Sequence, residues 1–139
     1  MSNYRDDHMK KQNIKYPIEL VVLLLGDKWK FLILCKLRKG TQRFGKIKKS
    51  IGNISAKILT QELRQLEKYG FISRKAYLET PPRVEYSLTE LGKSLETVME
   101  SMFDWAMLHK DKFKSLYNIE IDENLIFPKD WNSYKLQNN

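Results

Sequence analysis

The stretch from Ile54 to Gly70, Ile-Ser-Ala-Lys-Ile-Leu-Thr-Gln-Glu-Leu-Arg-Gln-Leu-Glu-Lys-Tyr-Gly, constrains the fold most, because it reads as a helix with a marked start, a marked stop and two chemically opposite faces. Ser55 can accept hydrogen bonds from the first free backbone N–H groups, and Gly70 can take the left-handed conformation that ends a helix. At about 100° per residue, Leu59, Leu63 and Leu66 fall on one side with Ala56 beside them, while Lys57, Thr60, Gln61, Arg64, Gln65 and Lys68 occupy the opposite arc. The acids Glu62 and Glu67 sit on the flanks. The outer arc therefore carries cations and neutral hydrogen-bonding groups without a carboxylate, which is the chemistry required to face phosphates and base edges. The plain alternative is a solvated helix face.

Charge placement favours the first reading. The 139-residue chain has a formal net charge of +8, but residues 28 to 75 hold 14 of the 25 Lys and Arg residues against only Glu62 and Glu67 of the 17 acids. That block is +12, and the remainder, with 11 bases and 15 acids, is −4. Basicity gathered in one block points to a polyanion, since neutralised phosphates release counterions. A membrane surface is the competing polyanion, but no apolar run approaches the roughly 18 residues that span a bilayer, and Val21 to Leu25 has core length. The polar start, Met1 to Lys15, has no signal-peptide pattern. A single cysteine, Cys35, excludes an internal disulfide and fits a reducing cytoplasm. The two histidines, His8 and His109, give no metal-ligand spacing, and neither a cofactor motif nor a catalytic constellation appears, so no enzyme is expected.

Read in order, residues 1–15 form a loose arm, and residues 16–113 one domain. Tyr16-Pro17 opens a helix with Ile18, Val21, Val22 and Leu25 on its apolar face, and Gly26 stops it. Asp27 caps a second helix, Lys28 to Leu37, in which Trp29, Leu32, Ile33 and Leu37 recur at core spacing and Cys35 is buried and inert. Thr41 to Phe44 gives a short strand, Gly45 to Ile51 a brief helix, and Gly52-Asn53-Ile54 a tight connection into the Ser55 helix, which together make a helix-turn-helix. Beyond Gly70 the period becomes extended: Phe71 to Tyr77 and Val84 to Leu88 read as two strands around a Glu79-Thr80-Pro81-Pro82 tip, a wing over residues 71–88. Thr89 caps a long last helix reaching about Lys112. Its stripe of Leu91, Leu95, Val98, Met102 and Trp105, widened by Met99, Phe103 and Ala106, exceeds what one thin face needs and suggests a partner helix, with cover for the domain's own core as the alternative. Residues 114–139, with Ile119, Leu125, Ile126, Phe127 and Trp131, are too apolar for a solvated tail and have no assigned role. The fold class expected is mainly α with a small β-hairpin wing.

From Gly26 to Trp105 the sequence resembles the HxlR-type winged helix-turn-helix regulators, a bacterial family related to the MarR group. The resemblance is carried by Gly26-Asp27-Lys28-Trp29 with Ile33-Leu34, by Arg43-Phe44, by Ile54 to Thr60 with Leu63, Leu66 and Glu67, and above all by Pro81-Pro82-Arg83-Val84-Glu85-Tyr86-Ser87-Leu88-Thr89 with Gly92. It implies a dimeric transcription factor that pairs through its first and last helices, with Ile18, Val22, Leu95, Val98, Met102, Phe103, Trp105 and Ala106 at the interface and residues 55–69 as recognition helix. Relatives that sense electrophiles carry a cysteine just before the proline of the first helix, where this chain has Tyr16. Asp27 stands where glycine is common, and Lys46 replaces a usual acid.

On that frame, Gln61, Arg64 and Gln65 are candidates to read base edges, because Arg matches guanine O6/N7 and Gln matches adenine N6/N7. Ser55, Lys57, Thr60 and Lys68 are candidates for phosphate, as are Arg43, Lys46, Lys48 and Lys49 from the short helix and Arg74 and Lys75 from the wing. For Arg83 two roles stand open, reaching the minor groove or pairing with Glu85 to hold the hairpin. The expected partners are double-stranded DNA, with a palindromic operator, and a second copy of the chain. The alternative function is a winged-helix module for protein or RNA. A small-molecule pocket lined by Phe103, Trp105 and Tyr16 competes with a filled dimer core.

Overall fold

The computed structural model describes residues 11–120. His8, with most of the expected N-terminal arm, and Leu125, Ile126, Phe127 and Trp131 of the C-terminal extension lie outside the described residues. Tyr16, in extended conformation, precedes Pro17 at the first position of α1 (Pro17–Leu25). Asp27 caps α2 (Lys28–Leu37), its Oδ1 accepting the backbone N–H groups of Trp29 at 2.9 Å and Lys30 at 3.0 Å. A two-residue strand β1 (Gln42–Arg43) leads into α3 (Phe44–Ile51), and α4 (Ala56–Lys68) follows. The hairpin β2 (Ile72–Tyr77) and β3 (Arg83–Leu88) is followed by α5 (Glu90–Lys93) and α6 (Glu96–Tyr117).

The hairpin does not stand alone. β1 pairs antiparallel with β3, Gln42 opposite Tyr86, so the sheet has the order β1-β3-β2. The register of the hairpin runs from Ile72 opposite Leu88 to Tyr77 opposite Arg83. β1 is shorter than the expected Thr41–Phe44 strand because Phe44 already belongs to α3. Gln42 fixes the junction: it is buried, and its Nε2 donates to the Lys36 carbonyl at 2.6 Å.

The core lies between α2, α3, α4 and the sheet. Ile33, Leu34, Leu37, Ile47, Leu59, Leu63, Leu66 and Ile72 are 0–2% exposed, and Ile54, Phe71, Tyr86 and Met99 close its edges. Fully burying one such aliphatic side chain contributes roughly 1.5–3 kcal/mol, so the three leucines of α4 are its main attachment. Ala56, expected beside them, is exposed at the first turn of α4.

Two further expectations, on α2 and on the last helix, are corrected. In α2 the buried stripe is Lys30, Ile33, Leu34 and Leu37, whereas Trp29 and Leu32 are half-buried on its flank. The spacing i, i+3, i+4, i+7 holds, but it starts on a lysine. The apolar face expected on α1 is mostly left uncovered by the described residues: of Ile18, Val21, Val22 and Leu25, only Leu25 is buried. The long last helix is two segments. Gly92 packs so closely under the Phe71 carbonyl that a Cβ there would stand 2.1 Å from the oxygen. Thr89 Oγ1 accepts the Gly92 N–H while its hydroxyl donates to the Gly70 carbonyl. The chain then tightens through Ser94 and Leu95, with Leu95 N–H bonded to Gly92 O at 3.2 Å, before α6 starts. α6 also runs past Lys112, to Tyr117. Its attachment is at its start, where Met99 is buried, Glu96 lies 3.3 Å from Arg38 Nε, and Cys35 Sγ lies 3.6 Å from Met99 Sδ.

Candidate nucleic-acid interface

Both ends of α4 are locked. Ser55 Oγ accepts the Ile58 N–H at 3.1 Å, and at the other end Gly70, at φ 85°, donates to Glu67 O while Phe71 donates to Leu66 O. That pair of bonds closes the helix with a left-handed glycine, and Phe71 and Leu66 are both buried beneath it. The connection from α3 is Gly52, at φ 83°, then Asn53, the buried Ile54 and the capping Ser55. Helix, tight turn and helix are thus fixed by one glycine, one inward isoleucine and one serine.

With Leu59, Leu63 and Leu66 inward, Lys57, Arg64 and Lys68 are exposed on the outer arc, and Thr60, Gln61 and Gln65 are half-buried along it. Thr60 Oγ1 donates to the Ala56 carbonyl at 2.7 Å, so its hydroxyl is left with acceptor capacity only. On α3, Lys46 and Lys49 are exposed and Lys48 is half-buried, with Ile47 pointing into the core; Arg43, just before it, is exposed. α3 and α4 both pack on α2, which brings these two groups of residues onto one helix-turn-helix unit.

The wing carries a smaller cluster on one side of its hairpin. Lys75 lies opposite Glu85, and Tyr77 opposite Arg83. Lys75 Nζ stands 4.9 Å from the Tyr77 ring centre, and the Arg83 guanidinium 3.9 Å. Arg83 is also 3.3 Å from both Glu79 and Glu85, so of its two expected roles the hairpin-holding pair is present. Arg74 is exposed. Leu78, at the tip, is fully exposed.

One group of site residues escapes a search for surface cations. Lys30 is 5% exposed, and its Nζ bonds both to Asp27 Oδ2 and, at 2.8 Å, to Glu62 Oε2 on α4. Burial pulls the Lys30 ammonium down, but the hydrogen bonds it donates to Asp27 and Glu62 outweigh it, and the group is held above the usual lysine range. Burial likewise works against the Asp27 carboxylate, yet Lys30 and the capped N–H groups hold it below its ordinary value. At Glu62 burial wins over Lys30 and pushes the carboxyl up. The sequence signal was a lysine heading an apolar stripe, with an acid three residues before it; a buried lysine demands such partners. Cys35, expected buried, is half-buried, and burial, against the weaker pull of Arg38 and Lys36, pushes its thiol up.

α1 and α6 present a different surface. Ile18, Val22, Met102 and Trp105 are 50–68% exposed, Val98 is exposed, and Leu95, Phe103 and Ala106 are half-buried. Trp105, His109, Phe113 and Tyr117 stack along α6, with Trp105 and His109 ring centres 5.0 Å apart. No helix among the described residues is long and apolar enough to cross a membrane.

Comparison with known proteins agrees with this geometry. Residues 24–114 match the model of the HxlR-like helix-turn-helix family. The chain is 41% identical over 108 residues to an uncharacterized HTH-type transcriptional regulator of Methanothermobacter thermautotrophicus, covering 78% of this chain and 82% of that one. It is 41% identical over 101 residues to the regulator YtcD of Bacillus subtilis, covering 73% and 80%. Among solved structures, the redox regulator HypR in its reduced form superposes with a TM-score of 0.69 at 35% identity, over 72% of this chain and 99% of that chain.

Proposed function

Since the chain belongs to the HxlR-like helix-turn-helix family of DNA-binding transcriptional regulators, we propose that it acts as a homodimer in which each copy lays α4 into the major groove of a palindromic operator. The observation that carries this reading is the outer arc of α4, where Lys57, Arg64 and Lys68 are exposed and one of the two flanking acids, Glu62, is drawn inward by Lys30. In that role Gln61, Arg64 and Gln65 read base edges, while Ser55, Lys57, Thr60 and Lys68, with Arg43, Lys46, Lys48 and Lys49, grip phosphate. Lys75 touches the backbone from the wing, and Arg83 stiffens the hairpin. Dimerisation through α1 and α6 is supported by their apolar residues, which the described residues leave uncovered. A two-fold pair would set the two α4 helices about 34–36 Å apart, one DNA turn.

A redox switch of the kind named for HypR has little to work with here. Tyr16 precedes Pro17, and the Cys35 thiol is packed against Met99. The test is enrichment of duplexes from a random-sequence pool by the full chain at physiological salt. A palindromic consensus, bound by a dimer, is the expected result. Failure to enrich any duplex, alongside tight binding to RNA or a protein, would replace this reading with that of an interaction module.

A further inference from the structure

We propose that Lys30 is a positioning residue for the recognition helix: from α2 it fixes the rotation of α4 about its own axis and holds the Glu62 carboxylate away from the DNA-facing arc. The inference rests on the reading of α4 as the groove-entering helix. Lys30 heads the buried stripe of α2, with Ile33, Leu34 and Leu37 behind it, and its side chain is 6% exposed. Its ammonium is held from two directions, by Asp27 at the start of α2 and by Glu62, whose side chain is 14% exposed, in the middle of α4. Asp27 is itself fixed, since its other oxygen accepts two backbone N–H groups of α2. The contact is therefore a rigid strut from the α2 cap to one defined angular position on α4.

The leucines beneath α4 cannot supply that angle. Apolar contact is non-directional, so Leu59, Leu63 and Leu66 hold α4 against the core while tolerating a small roll. A hydrogen-bonded ion pair has direction as well as distance. A roll displaces the ends of Arg64 and Gln65 relative to base edges, where discrimination depends on bidentate geometry, but hardly alters general attraction to phosphate. Without Lys30, moreover, the half-buried Glu62 carboxylate must gain a proton or turn outward to water, where it adds a negative charge beside the phosphates.

The test compares wild type, Lys30→Met, Glu62→Gln and the double variant Lys30→Met with Glu62→Leu. Each is titrated against the duplex that wild type enriches from a random pool and against a scrambled duplex of equal composition, and each melting temperature is recorded. Replacing a buried ion pair by apolar residues often leaves stability intact, so the double variant separates folding from positioning. The expected result is a drop of about tenfold in preference for the enriched duplex in both Lys30→Met and the double variant, with scrambled binding little changed. Wild-type preference in a folded double variant overturns the proposal, as does a loss that is equal on both duplexes and follows the melting temperature. If neither Lys30 variant folds, Glu62→Gln is read the same way. Failure of wild type to enrich any duplex would instead overturn the DNA-binding mode itself.

Discussion

The body formed by α2, α3, α4 and the sheet and the pair of outer helices α1 and α6 are both rich in large apolar residues, yet they dispose of them in opposite ways. In the body, Ile33, Leu34, Leu37, Ile47, Leu59, Leu63, Leu66 and Ile72 go inward and are 0–2% exposed, and the outer faces of α3 and α4 carry exposed cations. On α1 and α6, the full burial is limited to Leu25 and Met99, while Ile18, Val22, Met102 and Trp105 face outward. Monomeric proteins rarely leave contiguous apolar patches of this sort. On the proposed function the two surfaces go to two kinds of partner: the polar one to a polyanion and the apolar one to a second apolar surface.

The contrast is broken most forcefully from inside the body. Leu63→Ala removes a side chain that is 2% exposed, and a cost of about 2–5 kcal/mol is expected, read by urea unfolding. If Val22 and Met102 form the second surface, Val22→Asp combined with Met102→Asp should weaken self-association by roughly 2–4 kcal/mol in sedimentation equilibrium, while the circular dichroism of the body is retained. A pair of variants that stays as dimeric as wild type would remove α1 and α6 from the interface. On the polar surface the effects are smaller. Arg64→Ala should lose about 1–3 kcal/mol on the enriched duplex and relax its sequence preference, whereas Lys48→Ala should weaken all duplexes alike and flatten the salt slope by about one unit. Equal behaviour of these two in gel-shift titrations at several salt concentrations would erase the division into reading and gripping residues. The smallest expected effect is at the cap: Ser55→Ala should cost about 1 kcal/mol of stability by thermal melting.

Much of the body was legible in the sequence because its signals are local. Asp27, Ser55 and Thr89 all cap where a hydroxyl or carboxylate precedes a periodic run, Gly70 ends α4 in the left-handed conformation, and the hairpin strands lie within one residue of their expected bounds. What escaped was set by contacts between distant segments. The pairing of β1 with β3 depends on Gln42 reaching the Lys36 carbonyl, and the break before α6 depends on Gly92 fitting beneath Phe71. Lys30 is not legible as part of the core because a lysine reads as surface until its partners are known, and one of them, Glu62, is 32 residues away. The outer arc of α4 can be drawn from periodicity alone, whereas the inward pairing of the flanking Glu62 with Lys30 cannot.

The central claim is that α4 enters the major groove in two copies, and the most direct measurement is protection of guanine N7 from dimethyl sulfate methylation on the enriched duplex. N7 lies in the major groove, so the account predicts two protected patches centred about one helical turn apart, both lost in Arg64→Ala. Protection confined to adenine N3 in the minor groove, or a single patch unchanged by Arg64→Ala, would contradict it.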